Sequence, residues 1–595
     1  MRHPFQRGLP RVDDALRRVT ASAACARTHS VDFWQQAQVL AQVAKAGWTA
    51  LWHDTNFPSP VPENPRFMSP RAAVDLIADG NVVAVSGLGG NQRASILFWA
   101  IREAFERSGR PAGLTIMNLG GHGGRGQAPG TLEELGQRGL CRRLVAGHLE
   151  TFRAMLALAA DGHCELQCIP QGTLALLIEA QGRGERSLVS DTGVGTFVDP
   201  RVGSGSPVGG TGEQLITVEG DQLRYRIPAI DVAIFNAPAA DRQGNIYVKH
   251  AAMIGETAEI ARAARKNGGR VIANVGLIVE PGYDRVFLPA DMVDAIAYHP
   301  DTEQAAAIPH RDYWPALTTE ADVPIAESLE RAAFVNWIIG VTARRSTVHD
   351  AVARLAVATL SDAVHAGARV NIGIGLPEHA CQMLFAAGLH DRVTLLVESG
   401  PLGGLPASGA YFGAAFSPEK ILSSAEMFTL TYERLDATCL GVLEADGAGN
   451  VNVSRRSNSV ADYVGPGGFI DLTTAARTIV FVSGWMVGGA MDVEDGKVRL
   501  RRRGTPKFVE RVREITFNGA RALAAGKRVF YATPVGLFRL TSRGMELTQV
   551  MPGIDIRSDI LDVATMPIVL PDTGTVPLAP RAIVTGTDFA PHIAD

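Results

Sequence analysis

The feature that most constrains this chain is an internal echo. The segment DVAIFNAPAADRQGN begins at Asp231, and DATCLGVLEADGAGN begins at Asp436. Each holds an aspartate, an apolar run, a second aspartate and a Gly-Asn pair, all repeating at an offset of 205 residues. In both copies an Ala-Ala-Arg helix end then leads to another apolar strand, VIANVG after Arg270 and TIVFVSG after Arg477. A weaker echo precedes it, where a helix ends at Gly80 or Gly367 and a short apolar strand runs into a glycine loop. Those loops are GLGG from Gly87 and GIGLP from Gly373. Apolar strands that alternate with amphipathic helices predict parallel sheets covered on both faces. A repeated unit of that kind predicts two copies of one architecture.

The expected fold is therefore α/β: two tandem related open α/β domains with mainly parallel sheets covered by helices, plus an N-terminal helical extension. The expected divisions are 1–66 for the extension, 67–310 and 346–575 for the two domains, 311–345 for a linker and 576–595 for a tail. Residues 31–51 read helical, with Phe33, Val39, Leu40, Val43 and Trp48 near helical spacing. The Pro-rich stretch FPSPVPENPRF from Phe57 then ends any helix. This region reads as an add-on or lid-like arm, or more simply as a packed helical decoration.

Composition narrows the function. Lys+Arg 57 against Asp+Glu 61 gives a formal charge of −4, without the basic excess of a nucleic-acid or anionic-membrane binder. Six cysteines in 595 residues are too sparse for a stapled secreted domain, so reduced thiols in the cytoplasm are expected. His163-Cys164 with Cys168 lacks paired metal-ligand spacing, and no metal is expected. No apolar stretch approaches the ~18 residues of a membrane span. No secretory signal is apparent at the N-terminus. Glycine is the outlier, 63 residues against an average near 7%, as in a chain with many tight turns and close backbone approaches.

The glycine loops invite a dinucleotide reading that fails on spacing. Gly87-Leu-Gly89 needs a third glycine where Gln92 stands, and Gly373-Ile-Gly375 needs one where Glu378 stands. No Walker loop, HExxH or GxSxG occurs. The loops still offer backbone N–H groups suited to a phosphate or an oxyanion. Open α/β sheets bind ligands beyond the carboxyl ends of their strands, which directs attention to VTLLVESGPLGG from Val393. There an apolar strand runs directly into Glu398, followed by small residues. An ionised carboxylate so placed is costly unless hydrogen bonds or a ligand offset it. A turn-capping Glu is the bland alternative. Local chemistry leaves a carboxylate nucleophile and a carboxylate general base both open.

At this point the sequence resembles the family I coenzyme A transferases, in the form with both subunits fused into one chain. VESGPLGG is similar to that family's glutamate motif. GNVNVS from Gly449, GPGGFIDLT from Gly465, VREITFNGARAL from Val512 and PGIDIRSDIL from Pro552 resemble its β-type half. PQGTLALLIEA from Pro170, TGVGTFVDPR from Thr192, GGH at 120–122, GH at 147–148 and VEPGYDRVFLPADMVDAI from Val279 resemble its α-type half. The resemblance spans about residues 68–570, closest to propionate- or acetate-type members.

The resemblance implies that Glu398 attacks a short-chain acyl-CoA. A ping-pong exchange would pass through an acyl-glutamyl anhydride and a glutamyl-CoA thioester. It implies an oxyanion hole from Gln171 and a backbone N–H of the GPGG loop, with Gly467 favoured. It implies that Gly373, Gly375, Gly403 and Gly404 line the CoA passage. Coenzyme A is then a substrate and no cofactor is needed; the partners are an acyl-CoA and a carboxylic acid, with no nucleic acid or membrane. A homodimer or homotetramer is implied. His122 and His148 are tempting acid/base groups, but the anhydride route needs no histidine, so a structural place near the cleft is expected. An acyl-CoA hydrolase using the same glutamate, or a non-catalytic acyl-CoA-binding relative, remain as alternatives. Two departures bear on the acyl group rather than on the glutamate chemistry. The loop GLGGNQRAS from Gly87 lacks the usual Pro-Glu, and FTLTYERL from Phe428 lacks the expected glycines.

Overall fold

The computed structural model describes residues 33–595 apart from 125–127 and 211. Among these, a nine-stranded and a second nine-stranded sheet form the two halves. The first is built on β1 (Phe67–Met68), β2 (Val82–Val85), β3 (Leu114–Asn118), β4 (Cys141–Ala146), β5 (Glu165–Cys168), β6 (Val232–Asp241), β7 (Arg270–Val279) and β8 (Ala295–Tyr298). Their order is β1-β8-β7-β6-β2-β3-β4-β5, parallel throughout. β6 is buried along its whole length, which is why its sequence is nearly continuous apolar rather than alternating.

The second sheet holds β9 (Ala368–Ile372), β10 (Val393–Leu396), β11 (Ala437–Gly441), β12 (Thr478–Val482), β13 (Arg528–Thr533), β14 (Gly536–Thr541) and β15 (Gly544–Val550). The order β10-β9-β11-β12-β13 is parallel, and β14 and β15 extend it antiparallel through tight hairpins. This order matches β3-β2-β6-β7-β8 of the first sheet strand for strand.

The repeated aspartates explain the echo in the sequence. Asp231 Oδ2 accepts the Val82 N–H at 2.8 Å, and Asp436 Oδ2 accepts the Arg369 N–H at 2.9 Å, each pinning the start of a neighbouring strand. Asp241 Oδ1 takes the backbone N–H groups of Gln243, Gly244 and Asn245, while Asp446 Oδ1 takes those of Ala448 and Asn450. The second aspartate of each copy thus ties the same turn, with the Asn side chain bonded back to it.

Five helices flank or join the halves near the site. They are α1 (Phe33–Leu51), α2 (Ser95–Ser108), α3 (Gln171–Arg183), α4 (Thr257–Lys266) and α5 (Ile325–Ile338). The second half adds α6 (Thr347–Ser361), α7 (Leu376–Ala386), α8 (Ser424–Glu433) and α9 (Phe469–Ala475). The stretch expected as a linker is not bare chain. Its Trp314, Phe334, Val335 and Ile338 join Val39 of α1 with Tyr411 and Phe416 in a third apolar core. So α1 packs as a decoration on the seam between the halves. Residues 576–595 are not a loose tail either, because Ala579, Ile583, Val584 and Ile593 are buried in the second core. The helix expected to end at Gly80 is short, Pro70–Val74, started by Ser69 whose hydroxyl accepts the Ala72 N–H. No helix among the described residues is long and apolar enough to cross a membrane.

Candidate active site

The carboxyl end of β10 faces the first half, and the geometry there follows from small residues. Gly400 closes the turn after Glu398 with its N–H on Val397 O and φ +129°. A Cβ at Gly400 would lie 2.0 Å from Leu422 O, so no other residue fits. The Ser399 hydroxyl bonds to Gly413 O, fixing the glutamate between two strands of backbone. The Glu398 side chain then lies half-buried, and a Cβ added at Gly468 would be 2.2 Å from its Oε2.

Gln171 reaches the same place from the other half. It is the first residue of α3, 1% exposed, and its backbone N–H bonds to Gly467 O at 3.0 Å. Its amide draws the Glu398 pKa downward, yet neither Oε1 nor Nε2 makes a well-formed hydrogen bond to a protein group. Burial outweighs that pull and, with the nearby Asp471 charge, raises Glu398 from 4.5 to about 7.

Asp471 is the residue that sequence reasoning missed. It belongs to α9 of the second half, but it caps α3 of the first. Its carboxylate accepts the N–H groups of Gly172 at 3.0 Å and Thr173 at 2.8 Å, and the Thr173 hydroxyl at 2.9 Å. Pro170, at the helix's own cap position, has no side-chain acceptor to offer. The Tyr432 hydroxyl of α8 also donates to Asp471 at 2.9 Å and contacts Thr192 Oγ1. Burial raises Asp471 to about 6 against the downward pull of these bonds. A lone acid in the otherwise apolar FIDLTTA is the sequence signal that could have found it. Gly172, with Phe428 of α8 where its Cβ would stand, completes the packing of α3 on the second half.

The other expected residues separate. The Gly467 N–H is engaged by Gly147 O at 2.8 Å, so the glycine set against Glu398 is its neighbour Gly468. The GPGG and GH motifs therefore meet each other: a Cβ at Gly465 would stand 2.8 Å from Gly147 O, and Leu149 N–H bonds to Val464 O. Gly375 has φ +92° and open space where a Cβ would stand, whereas Gly373 packs on Leu440. At Gly403 and Gly404 a Cβ would meet the Glu419 side chain and Phe416 O, so the protein's own packing also requires glycine there. His122 is fully buried and its pKa falls to about 3, chiefly through desolvation; it stays neutral and is no proton donor at neutral pH. Among the described residues, no group of three His, Cys, Asp or Glu side chains is placed to hold a metal ion.

Comparison with known proteins agrees with this fold. Residues 67–297 match the family model described as coenzyme A transferase. Caffeate CoA-transferase of Acetobacterium woodii is 31% identical over 516 residues, covering 84% of this chain and 93% of that one. Acetate CoA-transferase YdiF of Escherichia coli K12 is 30% identical over 520 residues, covering 85% and 93%. The apoenzyme structure of YdiF from E. coli O157:H7 superposes with TM-score 0.77 and 27% identity, over 90% of this chain and 99% of that one. The same enzyme has been solved as a thioester complex with CoA, which superposes with TM-score 0.78. A transferase seam joining two related α/β halves, with relatives matched across nearly their whole length, places this chain in the family I coenzyme A transferases, both halves fused on one polypeptide.

Proposed function

We propose that this CoA-transferase moves coenzyme A from a short-chain acyl-CoA to a carboxylic acid by covalent catalysis on Glu398. The observation that carries the reading is a half-buried carboxylate at a strand end, held against Gly468 and close to the Gln171 amide, which makes no well-formed hydrogen bond to a protein group. The Glu398 carboxylate attacks the thioester carbonyl. The tetrahedral oxyanion collapses, breaks the C–S bond and leaves an acyl-glutamyl anhydride and CoA thiolate. The thiolate attacks the glutamyl carbonyl and expels the acyl carboxylate, giving a glutamyl-CoA thioester. An acceptor carboxylate then reverses the two steps, so protons and electrons balance with no added reagent.

Each oxyanion needs donors already in place. Gln171 Nε2–H supplies one, since it has no well-formed bond to give up. The backbone N–H of Gly468 supplies the other, because that of Gly467 is already used. Gly375 and the exposed Ile374 mark the open edge from which the pantetheine arm approaches. The CoA thioester complex of the E. coli relative supports the covalent route for this chain.

The test is direct. After incubation with acetyl-CoA alone, borohydride reduction and peptide mapping by mass spectrometry should find Glu398 modified. Glu398→Ala should lose at least about 10³-fold of CoA exchange, in the range typical of a lost nucleophile. An unmodified Glu398 in an enzyme that still exchanges CoA would overturn the route.

A further inference from the structure

Beside the glutamate lies a second set of buried polar groups that the proposed chemistry does not use. They gather around residues 86–92, the loop that follows β2 in place of the expected Pro-Glu. Gln92 is 1% exposed, and neither Oε1 nor Nε2 has a hydrogen-bond partner in the protein. Its backbone is held at φ +53°, an uncommon conformation for a non-glycine residue. Asn91 Oδ1, both ring nitrogens of His122 and Glu256 Oε1 are buried without a well-formed hydrogen bond, although the Gly89 and Gly87 backbone lies close enough to His122 and Glu256 to influence their titration.

These groups are adjacent. A Cβ at Gly255 would stand 2.9 Å from Ser86 Oγ, 3.2 Å from Gln92 Oε1 and 3.7 Å from Gly87 N. A Cβ at Gly87 would stand 2.8 Å from His122 Nε2. Glu256 follows Gly255 directly, and its Oε2 meets Ser424 Oγ only at 3.4 Å. The loop also touches the nucleophile's surroundings. The Cβ position of Gly120 is 2.1 Å from Leu88 Cδ1 and 2.8 Å from Gln171 Oε1. That of Gly413 lies between Leu88, Asn91 Nδ2 and Ser399 Oγ, the residue after Glu398.

Buried polar atoms in folded proteins are nearly always satisfied, and concentrated exceptions point to a ligand. We propose that Gln92, His122 and Glu256 form an acyl subsite for an uncharged hydrogen-bonding substituent, a hydroxyl or oxo group, on the carboxylic acid that exchanges at Glu398. This rests on the glutamate reading above and specifies its substrate. Neutrality follows from the groups themselves. Gln92 carries no charge, burial keeps His122 neutral, and burial raises Glu256 to about 8, so it is protonated at neutral pH. The nearby Arg93 is paired with Glu303. A second carboxylate would find no free cation among these groups, and a plain hydrocarbon would leave their hydrogen bonds unmade. A site built to bond a substituent discriminates against the analogue that lacks it far more strongly than an apolar pocket reads a methylene.

The experiment uses the full chain with acetyl-CoA as donor and acids matched in carbon number. The acids are propanoate with 2-hydroxypropanoate, and butanoate with its 3-hydroxy, 3-oxo and 4-hydroxy forms, with succinate as the charged control. The wild type should favour at least one substituted acid over its parent by tenfold or more in kcat/KM, and should use succinate poorly. Gln92→Met should reduce that preference to within about threefold, while Glu256→Gln, which keeps a donor and an acceptor, should retain it. The wild-type ratios stand even if a variant does not fold. Equal use of every pair, preference for the parent acids, succinate as the best acceptor, or a preference unmoved by Gln92→Met would each overturn the subsite. If Glu398 is labelled by acetyl-CoA in such a case, only the subsite fails. If Glu398 is not labelled while exchange persists, the glutamate route fails and the subsite with it.

Discussion

On the proposed route Glu398 combines two demands that pull apart, a nucleophile that must be ionised and an enclosure that resists ionisation. With its pKa near 7, the first half-reaction should rise with pH through about 7 and then level, as read in a single-turnover pH profile of CoA release from acetyl-CoA. The same shift sets a stability trend. A carboxyl whose folded pKa exceeds its ordinary 4.5 stabilises the fold below that value, and the contribution is lost as pH rises through about 7. Glu398→Gln should therefore melt higher than the wild type at pH 8.5 and by a much smaller margin at pH 5. The difference corresponds to about 3 kcal/mol, checked by thermal unfolding at both pH values. Gly468→Ala tests the contact from the other side. Its methyl group would overlap Glu398 Oε2, so exchange should fall by about 10²-fold or more and stability by about 1–3 kcal/mol, as for other overpacked sites.

Helix α3 shows how an element can depend on a partner distant in sequence. Its amino end has no cap of its own and takes one from Asp471, 299 residues further along. Asp471→Asn keeps the shape but weakens the charge-assisted bonds to Gly172 and Thr173. The expected outcome is about 1–2 kcal/mol of lost stability and a kcat that falls more than KM changes, because Gln171 starts that helix. Tyr432→Phe, which removes one of the four bonds, should do less on both measures. The contrast explains what could be read beforehand. The strand leading into Glu398 was legible because a buried parallel strand is written in consecutive apolar residues. The two-fold echo was legible because Asp231 and Asp436 do the same local work within their own halves. Asp471 stood in plain sight within GPGGFIDLT, but its task exists only once the halves meet. Gly467 and Gly468 are likewise identical as letters, and only the hydrogen bond to Gly147 distinguishes them. Gly403 and Gly404 carry the same ambiguity, since a glycine shows that something comes close without showing what, and here Glu419 and Phe416 do.

At the scale of the whole molecule, the groups proposed to act on the thioester divide between the halves, with Glu398 and Gly468 on one and Gln171 on the other. The chain joining them passes through residues 341–346, exposed throughout and without regular structure. The seam itself is held by the third core, by the α3 cap and by the meeting of Gly147 with the GPGG loop. A protease site engineered into residues 341–346 should therefore be cut without separating the halves. Size-exclusion chromatography should find both fragments together, with exchange activity retained to within about twofold. The cap that Asp471 lends to α3 also has a kinetic meaning. The acyl-glutamyl anhydride of the proposed route would survive only while water is kept from it, and the barrier to water there would be the fit between the two halves. Each opening of that joint is a chance for the intermediate to be wasted, so the ratio of transfer to hydrolysis becomes a reading of how tightly the joint closes. On the proposed route, the carboxylate that Asp471 shares across the joint would help to hold water out, and loosening it should raise hydrolysis relative to transfer.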